Sequence, residues 1–185
     1  SIRKSGELLA KALDKLGWHW WPSDSAILTR PYDGRAACNN CGPCEVGCPL
    51  RAKASTDVTY WPKAIAKGAI LKTNARVREV TLGMNGLADG VVYYDSDGSL
   101  QRQKARIVVM ACNGIGTPRL LLNSQSSLFP DGLANNSGLV GRNLMFHPYS
   151  MVMGVFDEHL EGYKGPMGCS IISSEFYETD LTRGF

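Results

Sequence analysis

The 185-residue sequence contains no long hydrophobic run and no strong excess of charge of either sign. No apolar stretch approaches the roughly 20 residues that span a bilayer, and the first residues lack the apolar part of a secretory signal, so any targeting segment would lie outside these residues. The net charge of +3, from 20 basic and 17 acidic side chains, gives no argument for binding nucleic acid or an anionic membrane. With repeats and low-complexity tracts also missing, a composition of 44% hydrophobic and 20% charged residues is typical of a packed globular protein.

Local patterns predict several helices in the first third of the chain. Apolar residues on one stripe predict an amphipathic helix over residues 5–16, which Gly17 would end. Residues 55–60 are expected to begin a short helix, and Pro62 suits the first turn of another over residues 63–67. The segment between the first helix and the cysteines, rich in tryptophan and proline, is expected to be irregular.

Strand-like periodicity begins at residue 70 and predicts an antiparallel meander. Its expected strands, separated by glycine-containing turns, are residues 70–72, 76–82, 87–94 and 100–104. Residues 105–112 then form a continuous apolar stretch, typical of a strand buried on both faces. The glycine turn 113–118, a helix over 119–123 and a strand over 149–156 are expected to follow. Helices and strands in this order predict a mixed α/β fold.

Four of the six cysteines lie within eleven residues and carry the sharpest chemical signal. Cys38, Cys41, Cys44 and Cys48, followed by Pro49, have the spacing C-x2-C-x2-C-x3-C-P, by which ferredoxin-like loops surround an iron-sulfur cluster. A disulfide scaffold would instead distribute its cysteines along a short secreted chain. The spacing therefore favours a metal site over a disulfide framework.

The identity of the metal group stays open from the spacing alone. No second cysteine run is present, so a single cluster would be bound differently from those of two-cluster ferredoxins. The subset Cys38, Cys44 and Cys48 would supply three thiolates for a three-iron cluster, with Cys41 spare. Zinc is an alternative, although structural zinc sites usually pair two cysteine knuckles over a longer spacer. The spacing is also compatible with disulfides between neighbouring cysteines and with reduced cysteines that bind no metal.

A glycine turn after the apolar stretch gives a weaker signal. Gly114 and Gly116 open the pattern G-x-G-x-x-G, but Arg119 occupies its third glycine position, so the dinucleotide fingerprint is absent. Glycines between a strand and a helix still let the backbone approach a phosphate, and the helix dipole favours the anion. A plain strand-to-helix turn is the alternative. The three histidines have no spacing that suggests a metal site or a catalytic triad.

Several stretches together resemble the glucose-methanol-choline (GMC) flavoprotein oxidoreductases. Residues 108–124 resemble the second signature of that family, residues 138–148 resemble its V-G-x-N-L-x-D-H-P motif, and residues 74–77 resemble the place where a valine backbone meets the flavin adenine. The sequence departs from these motifs at Cys112 and Asn113, where small residues are usual, and at Phe146, where the family has Asp. The resemblance implies FAD as cofactor, with the following binding residues: Val77, Ala111, Asn113, Gly114, Gly116, Thr117 and Pro118.

The cysteine-rich loop narrows this resemblance. Together with residues 52–56 it is similar to bacterial dehydrogenase-type members, including sugar and gluconate-type sugar-acid dehydrogenases, which pass electrons to an acceptor such as a cytochrome or quinone instead of oxygen. In some of these the Cys-x5-Cys-x3-Cys subset binds a three-iron cluster. The resemblance therefore implies Cys38, Cys44 and Cys48 as ligands, and Cys41 as a fourth ligand if the cluster has four irons.

The resemblance also implies that the sequence is an internal segment of a longer enzyme. The pyrophosphate loop and the C-terminal histidine pair of the family are not in these residues, so no catalytic residue is assigned here. Residues 1–143, with the cysteine loop 38–49, are expected to be part of a Rossmann-like FAD-binding domain with an antiparallel meander. Residues 144–185 are expected to begin the sheet of the substrate-binding domain.

The expected function is oxidation of a CH–OH group of a sugar, sugar acid or other alcohol to a carbonyl by hydride transfer to flavin, with an iron-sulfur cluster as electron relay. The alternative is a flavin-free iron-sulfur or zinc-binding module for electron transfer or interaction. The segment alone is expected to be inactive and, because its strand edges lack partners, to self-associate. Its compartment is left open between the cytoplasm and a periplasmic, membrane-associated complex.

Overall fold

The computed structural model describes residues 2–166 and 170–177, which form a mixed α/β structure with antiparallel sheets. This confirms the predicted fold class. In chain order the elements are α1 (Arg3–Leu16), β1 (Trp21–Pro22), α2 (Thr56–Ala66), β2 (Arg76–Leu82), β3 (Ala88–Tyr94), β4 (Leu100–Lys104), α3 (Asn113–Asn123) and β5 (Ile171–Ile172). None of the helices in these ranges has the length and apolar character needed to cross a membrane.

The chain divides into two compact units. The first unit comprises Ser1–Ala69 and Val152–Phe185, and the second comprises Ile70–Met151. This division concerns compactness and differs from the boundary expected between residues 143 and 144, which was predicted to separate a cofactor-binding part from the start of a substrate-binding domain. That boundary stays a prediction.

The first unit has a small core built on α1. The apolar stripe of α1 places Ala10 and Leu13 against Ile171 of β5, with Trp18 and Trp20 partly buried beside them. Gly17 ends the helix in the left-handed region (φ 70°), as predicted, because glycine has no Cβ to clash there. The pairing of β1 with β5 was not predicted, since two-residue strands from opposite ends of the chain leave no periodic signal.

A single helix, α2, replaces the two short helices expected between residues 55 and 67. Pro62 lies inside it and not at its start. Proline removes one backbone hydrogen bond, but the bonds on either side are kept, from Thr59 N–H to the Ser55 carbonyl and from Lys67 N–H to the Lys63 carbonyl. The helix therefore continues past the proline.

The second unit contains the predicted antiparallel meander, in the order β2-β3-β4. Val80 pairs with Val91, and Tyr93 pairs with Gln101. Val80 and Tyr93 are buried on this sheet, and α3 packs against β2. The observed strands begin and end within one residue of the expected 76–82, 87–94 and 100–104.

Three expected strands are wrong. Residues 70–72, 105–112 and 149–156 lie outside every strand, and Ile107 and Val109 are each 80% exposed. A strand buried on both faces needs a hydrogen-bonded neighbour on each side, and no strand among the described residues pairs with these segments. Helix α3 also begins at residue 113 and not at 119, so it includes the glycine turn.

Candidate functional site

The side chain of Asn113 caps the N-terminus of α3. This residue adopts φ +60°, and its Oδ1 accepts hydrogen bonds from the N–H groups of Ile115 (3.0 Å) and Gly116 (3.1 Å). The preceding residue, Cys112, donates its N–H to Oγ1 of Thr117, one turn into the helix, at 3.1 Å. The N–H groups of Ile115 and Gly116, which a bare glycine turn would leave for a phosphate, are therefore already engaged by Asn113.

A cavity of about 870 Å³ lies between β2 and α3 in the second unit. We call it the β2–α3 cavity. Val77 on the strand and Gly116 on the helix both line it, although the sequence separates them widely. Gly114 and Pro118 line a neighbouring cavity of about 280 Å³, whereas Ala111, Asn113 and Thr117 line neither. The structure thus brings two of the seven expected cofactor residues into one cavity and two into an adjacent one.

The β2–α3 cavity is lined by cations. Its lining includes Arg76, Arg78 and Arg119 and contains no acidic residue. Sequence reasoning missed these arginines. The available signal was their closeness in the sequence, because residues 76 and 78 belong to one strand, in which a bulge lies between Val77 and Glu79. Arginine side chains suit anionic groups such as nucleotide phosphates, so the lining is chemically compatible with part of FAD.

The four cysteines of the loop, in the first unit, line one very small cavity of about 10 Å³. Its lining also includes Lys53 and buried Ala52. Within residues 2–166 and 170–177 no three Cys, His, Asp or Glu side chains are grouped so that they could hold a metal ion. The soft thiol donors suit iron-sulfur chemistry, but among the described residues the four cysteines do not form a ready ligand set, so the loop would have to rearrange to hold a cluster.

Backbone amides point at two of these sulfurs. The N–H of Asn40 donates to Sγ of Cys38 at 3.3 Å, and the N–H of Lys53 donates to Sγ of Cys48 at 3.5 Å. The bond from Lys53 is the main cause of a lowered pKa at the Cys48 thiol, with smaller contributions from other nearby amides, against an opposing effect of burial. The loop therefore favours the thiolate at Cys48, which is the form that binds metals.

Residues 163–165, which we call the strap, lie against the cysteine loop. The N–H of Gly165 donates to the carbonyl of Asn40 at 3.2 Å, and Gly42 is so close to the Tyr163 carbonyl that a Cβ there would collide with it. From the other side, Nζ of Lys53 donates to the Cys44 carbonyl at 2.7 Å. Sequence reasoning missed these supports because none of them belongs to the cysteine motif.

Comparison with known proteins identifies relatives across nearly the whole chain. The family profile described as GMC oxidoreductase matches residues 4–149. The chain is 48% identical to a 2-methyl-1,2-propanediol dehydrogenase of Mycolicibacterium austroafricanum over 98% of its own length and 33% of that protein. It is 40% identical to a fructose dehydrogenase large subunit of Gluconobacter japonicus over 74% of the chain and 25% of that protein.

A more distant similarity fits the same group. The chain is 28% identical to a gluconate 2-dehydrogenase flavoprotein of Pantoea cypripedii, over 97% of the chain and 31% of that protein. The chain thus spans between a quarter and a third of the length of the curated relatives it matches. The expected resemblance to sugar and sugar-acid dehydrogenases is confirmed.

Proposed function

Since the chain belongs to the GMC oxidoreductase family, we propose that it is a section of an FAD-dependent dehydrogenase that oxidises a CH–OH group to a carbonyl. The family acts on alcohols and sugars, and FAD is the cofactor that the family implies. Three relatives are named as dehydrogenases of a diol, a sugar and a sugar acid, which supports a small polyhydroxylated substrate. Bound flavin would accept the hydride from the substrate carbon.

The observation that carries this proposal is the β2–α3 cavity. Val77 and Gly116, assigned to the cofactor by the motif resemblance, line one space together with Arg76, Arg78 and Arg119. This chain would therefore contribute cations and backbone to hold part of FAD. The proton acceptor for the substrate hydroxyl and the remaining flavin contacts belong to other parts of the enzyme, so the segment alone is expected to be inactive.

The test is purification of the full-length protein followed by visible spectroscopy. A flavin spectrum that bleaches anaerobically on addition of a diol, sugar or sugar acid supports the proposal. Turnover with an artificial acceptor but little oxygen consumption would assign it as a dehydrogenase and not an oxidase. A protein purified without flavin, which neither binds added FAD nor oxidises any of these substrates, would refute it.

We propose in addition that the cysteine loop binds an iron-sulfur cluster that passes electrons from the flavin to a downstream acceptor such as a cytochrome or quinone. The support is the cysteine spacing, the small cavity that all four cysteines line, and the amides directed at Cys38 and Cys48. Amide hydrogen bonds to cluster sulfur are one means by which proteins set cluster potentials.

Cys44→Ser in the full-length enzyme tests this relay, because an oxygen donor replaces a soft thiolate. We expect iron content and steady-state reduction of the distal acceptor to fall sharply, while substrate still bleaches the flavin in a single turnover. Cys41→Ser is the matched variant: it should have little effect on a three-iron cluster and an effect like that of Cys44→Ser on a four-iron one. Unchanged iron content and acceptor rates in Cys44→Ser would return the loop to a structural role.

The competing function is a flavin-free iron-sulfur or zinc module, which the cysteine loop alone would support. Metal analysis and the visible spectrum separate the two functions. Iron without flavin would favour an electron-transfer module, and zinc without iron would favour an interaction domain.

A further inference from the structure

The chain on either side of the cysteine loop is held by one short segment, residues 26–28. At the start of the loop, the N–H of Cys38 donates to the Leu28 carbonyl at 2.9 Å. Beyond its end, the N–H of Leu28 donates to the Ala52 carbonyl at 3.0 Å, and Lys53 pairs antiparallel with the middle residue of the same segment. The backbone at Lys53 is therefore fixed next to the start of the loop, and together these contacts form the base of the loop.

The side chain of Lys53 reaches from this base to the middle of the loop. Its Nζ donates to the Cys44 carbonyl at 2.7 Å, while its backbone N–H donates to Sγ of Cys48 at 3.5 Å. Lys53 is half-buried and lines the same small cavity as the four cysteines. No carboxylate in residues 2–166 and 170–177 forms an ion pair with its ammonium group. One cation thus lies beside the thiols, and among these residues no acidic side chain neutralises it.

The charge of Lys53 has the sign that a group bound through thiolates requires. An iron-sulfur cluster held by three or four thiolates is an anion, and each electron that it accepts makes it more negative. A nearby cation stabilises the more negative state, and it does so more strongly when it is partly shielded from water. Because net charge is one of the quantities that set cluster potentials, a half-buried ammonium at the loop favours the reduced cluster over the oxidised one.

We propose that Lys53 is a positioning residue of the cysteine site, which ties Cys44 to the base of the loop and raises the reduction potential of the cluster through its charge. This inference rests on the proposed electron relay and deepens it. Lys53 is not a ligand and acts through Cys44 and through the electrostatic field at the thiols. A raised potential makes the cluster a better acceptor for electrons from reduced flavin, so the side chain sets the direction of the relay as well as its geometry.

The test is a potentiometric titration of the full-length, anaerobically purified enzyme, followed by the paramagnetic signal of the cluster. Lys53→Met removes the ammonium but keeps an unbranched side chain and the backbone N–H at Cys48. Its potential should be more negative by about 59 mV, a tenfold change in the ratio of oxidised to reduced cluster. Lys53→Arg keeps the charge and should titrate like the unmutated enzyme. Lys63→Met is the matched control, because Lys63 is exposed and already paired with Asp33 at 2.6 Å, and it should leave the potential unchanged.

Iron content is measured on the same samples, and hydrogen exchange over α1 should match that of the unmutated enzyme in every variant. Loss of iron in Lys53→Met but not in Lys53→Arg would support the inference, because the charged side chain is then needed to hold the site together. An unshifted potential at full iron content in Lys53→Met, or equal loss of iron in both variants, would overturn the inference and leave the relay intact. Unmutated enzyme that purifies without iron would overturn the relay and this inference together.

Discussion

Ser124 is the residue by which we would test how α3 is held against β2. It is the one buried polar side chain among the described residues, at 3% exposure. Its Oγ accepts a hydrogen bond from the N–H of Val80 at 2.9 Å and donates one to the carbonyl of Leu120 at 2.7 Å. The hydroxyl therefore joins the end of α3 to the middle of β2, the two elements on either side of the β2–α3 cavity.

Replacing this serine by alanine leaves a buried donor without a partner. Val80 is 6% exposed, so water cannot readily replace the lost acceptor. An unsatisfied buried N–H costs about 1–3 kcal/mol. In Ser124→Ala the free energy of local opening at Val80 should fall by that amount, which corresponds to amide exchange about 5- to 150-fold faster.

Hydrogen exchange of the full-length protein, resolved to the peptide that contains Val80, measures this change directly. Ser99→Ala is the matched control, because Ser99 is exposed in the turn before β4. That variant should leave exchange at Val80 unchanged. If Ser124→Ala exchanges at the unmutated rate, the hydroxyl contributes nothing to the junction and its hydrogen bond to Val80 does not stabilise the contact between α3 and β2.

Two further predictions concern the loop and the meander. In Gly42→Ala the new Cβ would sit on a left-handed backbone (φ 105°) and collide with the Tyr163 carbonyl, so the strap should loosen and Cys44 should react faster with an alkylating reagent. The control is Gly34→Ala, at φ 70° with open space around it, which should leave the rate at Cys44 unchanged. Equal effects of the two variants would refute the close contact. The pKa of Asp89 should lie below that of an ordinary aspartate, because the Thr81 hydroxyl and the Arg102 guanidinium stabilise its charged form. Because the pKa of Asp89 is lowered in the folded state, its ionised form stabilises the meander at pH values above the unfolded-state pKa, and this contribution is lost as the pH falls through the folded-state pKa. An NMR titration of the Asp89 carboxyl should therefore show a low midpoint that rises in Arg102→Gln. A midpoint at or above the value of an ordinary aspartate would contradict this.

The meander could be predicted because the residues that determine its strands and turns lie close together in the sequence. Strand-forming residues make up β2 and β3, and turns such as the one at Gly86 connect the strands within a short stretch of chain. The prediction for segment 105–112 was wrong for a complementary reason. A fully apolar run indicates that a segment is suited to burial. The hydrogen bonds that make it a strand must come from neighbouring strands, and none of the described residues form a strand that pairs with this segment.

The candidate site shows the same limit. The four cysteines could be expected together because eleven residues of chain cannot separate them far, but Lys53 and the strap contact them through tertiary structure. Arg119 reaches the β2–α3 cavity from a different element than Arg76, which no spacing rule reveals. Only the Asn113 cap could have been found earlier, because an asparagine side chain at the start of a helix commonly accepts hydrogen bonds from the first amide groups.

The contact between Gly42 and Gly165 has a consequence for the order in which the protein is made. A Cβ on Gly165 would lie 2.7 Å from the Cα of Gly42, so these two backbones touch directly and the conformation of the cysteine loop depends on both. Residue 165 leaves the ribosome long after the last cysteine of the loop has been synthesised. During that interval the cysteine loop lacks its contacts with the strap. The loop can therefore reach this conformation only after the strap has been synthesised.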